Sequence, residues 1–163
     1  MRGVLLTIAL CAALAIAGCG GGDSSSSGST AETSAGAPAE SINTKPKVDA
    51  PSGPPPSHIE TKDLIEGTGA EAKVGDKVTV KYVLVDYKSG KEIESSWERN
   101  EPFPFTLGAG EVISGWDIGV QGMKVGGRRE LVIPPQFAYG AEGSPPIGPN
   151  ATLIFVIDLV SVE

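Results

Sequence analysis

Apolar residues recur at helical spacing between positions 111 and 127. Four of them fall three or four positions apart and would line one face of a short helix: Ile113, Trp116, Val120 and Met123. Gly119 lies inside this pattern and Gly122 near its end, although each glycine costs a helix about 1 kcal/mol relative to alanine. We therefore expect another element to pack very close to the helix backbone, with Trp116 as the largest apolar anchor.

Strand patterns surround this predicted helix. Residues 77–86 alternate cleanly between apolar and polar side chains, which is typical of a strand with one buried face. Further strands are predicted at residues 59–65, 92–95, 102–107, 128–133 and 153–160. Two prolines in the 102–107 strand suit the edge of a sheet. This order of elements predicts the α+β class, with an antiparallel sheet packed on one short helix.

The first 18 residues are typical of an export signal. Arg2 precedes an apolar run at residues 4–16, which is too short to span a bilayer of about 30 Å. The run ends in Ile16-Ala17-Gly18-Cys19, which resembles a bacterial lipobox. Cleavage before Cys19 and attachment of a lipid such as palmitate would anchor the chain to a membrane. An ordinary signal peptide with an incidental cysteine is the alternative.

Residues 19–57 have a low-complexity composition. Gly and Ser dominate the first half, Pro dominates the end, and no aromatic residue occurs. Such a segment buries too little apolar surface to offset its ordering entropy, so we predict a disordered tether. The proline run could instead be a polyproline ligand. Residues 58–163 then form a single domain.

Composition argues against several functional classes. The net charge of −7 argues against a nucleic-acid partner. Arg128 and Arg129 are adjacent on a predicted strand, so they point to opposite faces and form no basic patch. His58 is the single histidine and has no cysteine near it in sequence, which argues against a zinc site and against hydrolysis by a Ser-His-Asp triad. We therefore expect no metal and no cofactor.

Six motifs together resemble the FKBP-type peptidyl-prolyl isomerase family. They begin with Val78-Thr79-Val80-Lys81-Tyr82 and continue through the segments 90–96, 102–105, 112–116, 138–140 and 149–155, in family order and at family spacing. The resemblance covers residues 61–163. It implies a curved antiparallel sheet wrapped around one short helix, and an enzyme that accelerates rotation about X-Pro bonds without covalent chemistry.

The resemblance also implies an apolar pocket between helix and sheet. Its catalytic positions would be Tyr82, Glu94, Phe103, Trp116, Tyr139 and Phe155. Its substrate-binding positions would be Ile93, Phe105, Val112, Ile113 and Ile147. Trp116 would form the floor, while the Ile113 backbone and the Tyr139 hydroxyl would be hydrogen-bonding groups.

The sequence departs from the family pattern near the expected pocket. Ile93-Glu94 stands where the family often has an aromatic residue followed by Asp, so the wall is less aromatic and the acid sits one methylene further out. The loop at residues 143–149 is one residue shorter than usual, with Gly148 where a proline is common. Trp97 could be an additional substrate contact or a ring packed on the surface.

These observations predict an extracytoplasmic, lipid-anchored, monomeric prolyl isomerase. Its expected partners are proline-containing unfolded or exported polypeptides, the macrolide inhibitors of the family, and the membrane through Cys19. The alternative keeps the fold without the catalysis, as a chaperone-like or ligand-binding module. An inert surface lipoprotein with a spacer role is a third reading.

Overall fold

A computed structural model describes residues 42–163. The expected signal peptide, Cys19 and the tether up to residue 41 lie outside the described residues. The described part of the chain contains six strands: β1 (Glu60–Ile65), β2 (Lys77–Asp86), β3 (Glu92–Ser95), β4 (Phe103–Thr106), β5 (Arg128–Ile133) and β6 (Leu153–Val162). All predicted strands therefore exist, and their bounds differ from the prediction by two residues or fewer.

The six strands form one antiparallel sheet in the order β1-β5-β6-β2-β3. Strand β4 pairs with the first half of β2, whereas β3 pairs with its second half. Because β4 has no other strand neighbour, its proline at position 104 lies on a sheet edge as predicted. The central pair, β2 and β6, is the longest and supports the elements that form the site.

The helix in the structure is shorter than the apolar pattern that predicted it. Helix α2 spans only Ser114–Gly119, with Ile113 at its N-cap and Val120 at its C-cap. Gly122 adopts a φ of 78° just beyond, a left-handed conformation that ends the helical course. Met123 still reaches the core from this turn, which explains why the apolar pattern extends past the helix. A second short helix, α1 (Ser96–Arg99), was not predicted.

The inner face of the sheet packs against α2. A Cβ atom on Gly119 would lie 2.6 Å from Cδ1 of Leu131, and one on Gly115 would lie 2.5 Å from Cγ2 of Ile133. Both leucine and isoleucine belong to β5, so the helix backbone rests directly on that strand. The predicted close packing is therefore found at Gly119, and Gly115 serves the same contact. It is not found at Gly122, where a Cβ atom would have nothing within 4 Å in the described part of the chain.

The outer face of the sheet is covered by the chain preceding β1. We call residues 42–57 the strap. Val48 packs against an apolar cluster of Val83, Val85, Val132 and Ile154. The Thr44 carbonyl accepts a hydrogen bond of 2.6 Å from Arg128 Nη2, and the Ser57 carbonyl accepts one of 2.8 Å from Gln136 Nε2. The expected tether thus differs from the structure over residues 42–57, because apolar and polar groups of the strap find partners on the sheet.

Candidate functional site

A cavity of about 410 Å³ opens between α2 and the inner face of the sheet. Its walls come from six different parts of the chain, so only the folded sheet assembles it. The lining residues are Tyr82, Leu84, Glu94, Phe103, Glu111, Val112, Ile113, Trp116, Tyr139 and Phe155. Its volume and its apolar walls with a few polar groups are typical of small-ligand sites.

Aromatic rings form the inner part of the cavity around Trp116. This indole is 4% exposed, and its centroid lies 5.2 Å from that of Tyr82 and 5.3 Å from that of Phe155. Both contacts are edge-to-face, the arrangement that ring quadrupoles prefer. Phe103 lies 6.0 Å from Trp116 and is 39% exposed, so it leads from this floor to the rim. Trp116 thus lies at the buried end of the cavity.

The hydroxyl of Tyr82 belongs to a small polar network. It donates to Glu94 Oε1 at 2.9 Å and accepts from Arg99 Nη2 at 3.2 Å. Arg99 Nη1 also lies 2.6 Å from Glu94 Oε1. Burial raises the pKa of the Tyr82 hydroxyl, and the hydrogen bond from Arg99 opposes that rise. The longer Glu94 side chain therefore does reach the tyrosine, and Arg99 fixes both groups.

Three polar groups at the cavity make no hydrogen bond within residues 42–163: the buried Trp116 Nε1 at the floor and two more accessible groups. The Ile113 amide precedes α2 and donates to no described acceptor, whereas its carbonyl accepts from the Trp116 amide at 2.9 Å. The Tyr139 hydroxyl is likewise without a partner in this part of the chain, and the ring is 38% exposed. Burial raises the pKa of Tyr139, and the nearby charge of Glu94 adds to the effect. These two groups remain available to a bound molecule.

Both ends of α2 are fixed by charged side chains. Arg129 Nη1 donates to the carbonyls of Gly119 at 2.9 Å and Gln121 at 3.1 Å, and its guanidinium pairs with Asp63 on β1. Asp117 accepts from the Gly108 amide at 2.8 Å and thereby ties the preceding loop to the helix. A six-residue helix is marginal alone, so these contacts together with the packing on β5 set the position of Trp116.

Three residues expected in the pocket do not line it. Phe105 is 3% exposed and lies behind the floor, 5.6 Å from Trp116 between ring centroids. Ile147 is buried in the same core, since the Ser144 and Ile147 backbones bond to each other and turn this loop inward. Ile93 packs on the core from the side. These three support the wall instead of contacting the cavity.

Two lining residues were missed by the sequence prediction. Leu84 follows Tyr82 by two positions on β2, so the period-two alternation of this strand puts it on the same face as Tyr82. Glu111 stands at the rim, where its Oε2 accepts from the Thr106 amide at 2.8 Å. No pattern in the sequence distinguishes this acid from other exposed acids.

Trp97 lies on the outer face, away from the cavity. It packs against the cluster that includes Val83 and Val85, and Lys81 Nζ lies 4.2 Å from its ring centroid. Of the two readings of this tryptophan, the structure therefore favours a ring packed on the sheet over a substrate contact.

Within residues 42–163, no three or more His, Cys, Asp and Glu side chains are grouped so that they could hold a metal ion. Nor does that part of the chain contain a helix whose length and apolar character would let it cross a membrane.

The chain that forms this cavity is similar to a family of known proteins. Residues 69–160 match the family model described as FKBP-type peptidyl-prolyl cis-trans isomerase. An FK506-binding protein of Streptomyces anulatus is 56% identical over 120 residues, which cover 72% of this chain and 97% of that protein. A probable FK506-binding protein of Corynebacterium glutamicum is 49% identical, with coverages of 72% and 98%. The crystal structure of FkpA from Escherichia coli has a TM-score of 0.60 and 40% identity, covering 64% of this chain and 48% of that one.

Proposed function

Since this chain belongs to the FKBP-type peptidyl-prolyl cis-trans isomerase family, we propose that it isomerises X-Pro bonds of exported polypeptides from a lipid anchor on Cys19. The family is one of peptidyl-prolyl isomerases, so membership favours an enzyme over a non-catalytic module on the same fold. The single observation that supports this cavity as the catalytic site is its floor, a buried indole surrounded by aromatic rings.

The reaction requires a shaped apolar site more than a reactive group. Rotation about an X-Pro bond has a barrier of about 20 kcal/mol, which amide resonance sets. A pocket that grips the proline ring on Trp116 and fits the twisted imide better than the planar one lowers this barrier by differential binding. The aromatic walls also keep water from the imide carbonyl, and water hydrogen bonds favour the planar, charge-separated form.

The polar groups of the cavity receive separate roles in this proposal. The Ile113 amide donates to a carbonyl of the bound peptide, and the Tyr139 hydroxyl donates to a second one, since neither has a partner within residues 42–163. Tyr82 already donates to Glu94, so its ring supplies a wall and its position depends on Arg99. Val112, Phe103 and Phe155 complete the contact with the proline ring.

The isomerase proposal is tested with a protease-coupled assay on an X-Pro peptide anilide. At about 10 °C the uncatalysed reaction takes minutes, so added catalysis is easily measured. We expect acceleration by the wild-type chain and a lower kcat/KM for Tyr139→Phe. Tyr87→Phe is the matched control, because the Tyr87 hydroxyl lies outside the cavity and contacts the Pro54 carbonyl of the strap. A folded wild-type chain whose rate equals the spontaneous one would refute the proposal.

The proposed anchor rests on the order of apolar, small, Gly and Cys residues at positions 16–19. We expect the chain produced in a bacterial host to carry acyl groups on Cys19 as its first residue and to fractionate with membranes. Mass spectrometry of the N-terminal peptide measures both the cleavage site and the lipid. Cys19→Ser should abolish the acylation, whereas Cys11→Ser should leave it unchanged. An unacylated mature N-terminus in the wild type would contradict the anchor without affecting the isomerase proposal.

A further inference from the structure

The strap approaches the active site from the side of the sheet opposite the cavity. Pro46 is buried and Val48 packs on the outer apolar cluster. Between Thr44, whose carbonyl accepts the hydrogen bond from Arg128, and Pro46, the chain passes beside the start of β3. The relatives from Streptomyces anulatus and Corynebacterium glutamicum align over 72% of this chain. Residues 58–163 alone cannot supply this share, so the shared region extends into the strap.

A β-bulge lets the short strand β3 present acids to both faces of the sheet. Glu94 pairs with Leu84, a cavity residue, whereas Glu92 pairs with Val85 of the outer cluster. In a regular strand, residues two positions apart point to the same face. The register shift at Ile93 removes this constraint and turns Glu92 toward the strap, while Glu94 remains at the cavity.

Lys45 of the strap binds both ends of the segment from β3 to α1. Its Nζ lies 2.6 Å from Glu92 Oε1 on β3 and 3.1 Å from Glu98 Oε1 on α1. The hydrogen bond to Glu92 is the main cause of a raised pKa for Lys45, and the pair with Glu98 adds to it. One ammonium group thus connects the residue that opens β3 with the helix turn next to Arg99.

The segment that Lys45 spans contains the two side chains that fix Tyr82. Glu94 accepts from the Tyr82 hydroxyl at 2.9 Å, and Arg99 donates to the same hydroxyl at 3.2 Å. The segment is also attached to β2 by a few ladder contacts, by Ser96, whose Oγ accepts from the Tyr82 amide at 2.8 Å, and by Trp97, which packs on Val83 and Val85. A displacement of β3 relative to α1 would therefore move Glu94 and Arg99 apart.

We propose that Lys45 is a positioning residue for the isomerase, because it bridges Glu92 and Glu98 and so holds Glu94 and Arg99 on the Tyr82 hydroxyl. The inference rests on the isomerase activity of the cavity. It gives the strap a function beyond connecting the domain to its predicted anchor. It also makes the activity dependent on residues that precede the family motifs.

The test compares Lys45→Ala with Lys47→Ala in the full chain. Lys47 is 85% exposed in its side chain, and among the described residues it pairs only with Asp49. This control therefore removes an equal charge from the strap without touching β3 or α1. We expect kcat/KM to fall about two- to five-fold for Lys45→Ala, the range that one or two exposed ion pairs can supply, and to stay unchanged for Lys47→Ala. Lys45→Arg should restore most of the loss. Glu98→Gln, on a side chain that is 69% exposed, should reproduce part of it with little risk to folding.

A double-mutant cycle separates positioning from a general loosening of the fold. In an Arg99→Ala background the Tyr82 network is already open, so Lys45→Ala should change kcat/KM no further. Approximately 1 M salt, where the Debye length is about 3 Å, should lower the wild-type activity toward that of Lys45→Ala. Equal activity of folded Lys45→Ala and wild type would overturn the inference, as would an undiminished effect in the Arg99→Ala background. An inactive wild-type chain would instead overturn the isomerase proposal itself.

Discussion

Replacing Trp116 with leucine tests the catalytic floor most directly. The indole is 4% exposed and lies within 6.0 Å, between ring centroids, of Tyr82, Phe103, Phe105 and Phe155. Truncating a buried aromatic side chain to alanine costs about 3–5 kcal/mol, and leucine retains part of the packing. We therefore expect the free energy of unfolding to fall by about 2–3 kcal/mol. In a domain of this size that corresponds to a melting temperature lower by roughly 10–20 °C.

The same substitution should reduce catalysis by more than its effect on folding explains. If the floor contributes about 2 kcal/mol of contact to the twisted imide, kcat/KM falls by about 30-fold. Leu159→Ala is a suitable control, because this residue is fully buried in the same core and does not line the cavity. It should lose about 2–5 kcal/mol of stability with kcat/KM unchanged at low temperature. A Trp116→Leu variant within two-fold of wild type would refute the assigned floor, as would an equal loss of activity in the control.

Three further predictions follow from the packing and the charges around the site. Glu94→Gln should keep the fold and lower kcat/KM several-fold in the coupled assay, because Arg99 loses the carboxylate that holds it on Tyr82. Glu142→Gln is the control, since Glu142 lies outside both the cavity and its polar network. Gly119→Val should destabilise the domain by about 1–3 kcal/mol in urea unfolding, because its Cβ would lie 2.6 Å from Leu131; the same change at the open position Gly148 should cost less. Folding raises the pKa of Tyr82, so its contribution to stability is fully present below the ordinary tyrosine pKa of about 10 and declines as the pH rises beyond it. Tyr82→Phe should flatten this decline when the free energy of unfolding is measured from about pH 9 to 11. An unchanged slope would contradict the assignment.

Local patterns predicted the sheet well because each strand contains its own signal. The alternation at residues 77–86 matches β2 at both ends, and residues 128–133 match β5 in the same way. The helix was overestimated for a physical reason. Val120 and Met123 are both buried as their spacing implied, but Gly122 takes a left-handed conformation, so a turn and not a helix brings Met123 into the core. Apolar spacing reports burial, whereas the helix end depends on backbone conformation.

The pocket was only partly predictable because its wall and its support look alike in sequence. Phe103 and Phe105 lie two positions apart on β4 and share a face, yet one is 39% exposed at the rim and the other is 3% exposed behind the floor. Their different roles depend on where α2 ends over the sheet, which Arg129 and Asp117 decide through contacts with distant backbone groups. Such contacts leave no periodic signal. The sequence could therefore identify the aromatic set of the site without dividing it into lining and support.

The strap shows how composition alone can mislead about order. Residues 42–57 have few apolar side chains, so their own burial is too small to order them. The sheet supplies a hydrogen-bond donor that holds the strap. Arg128 and Asp158 are both fully buried on the outer face and form an ion pair, and the Arg128 guanidinium also donates to the Thr44 carbonyl. A buried ion pair needs its remaining hydrogen-bonding capacity satisfied, and a passing backbone carbonyl can do this without any particular side chain. The order of the strap is thus determined by residues more than 80 positions away on β5 and β6, which is why only the folded sheet reveals it.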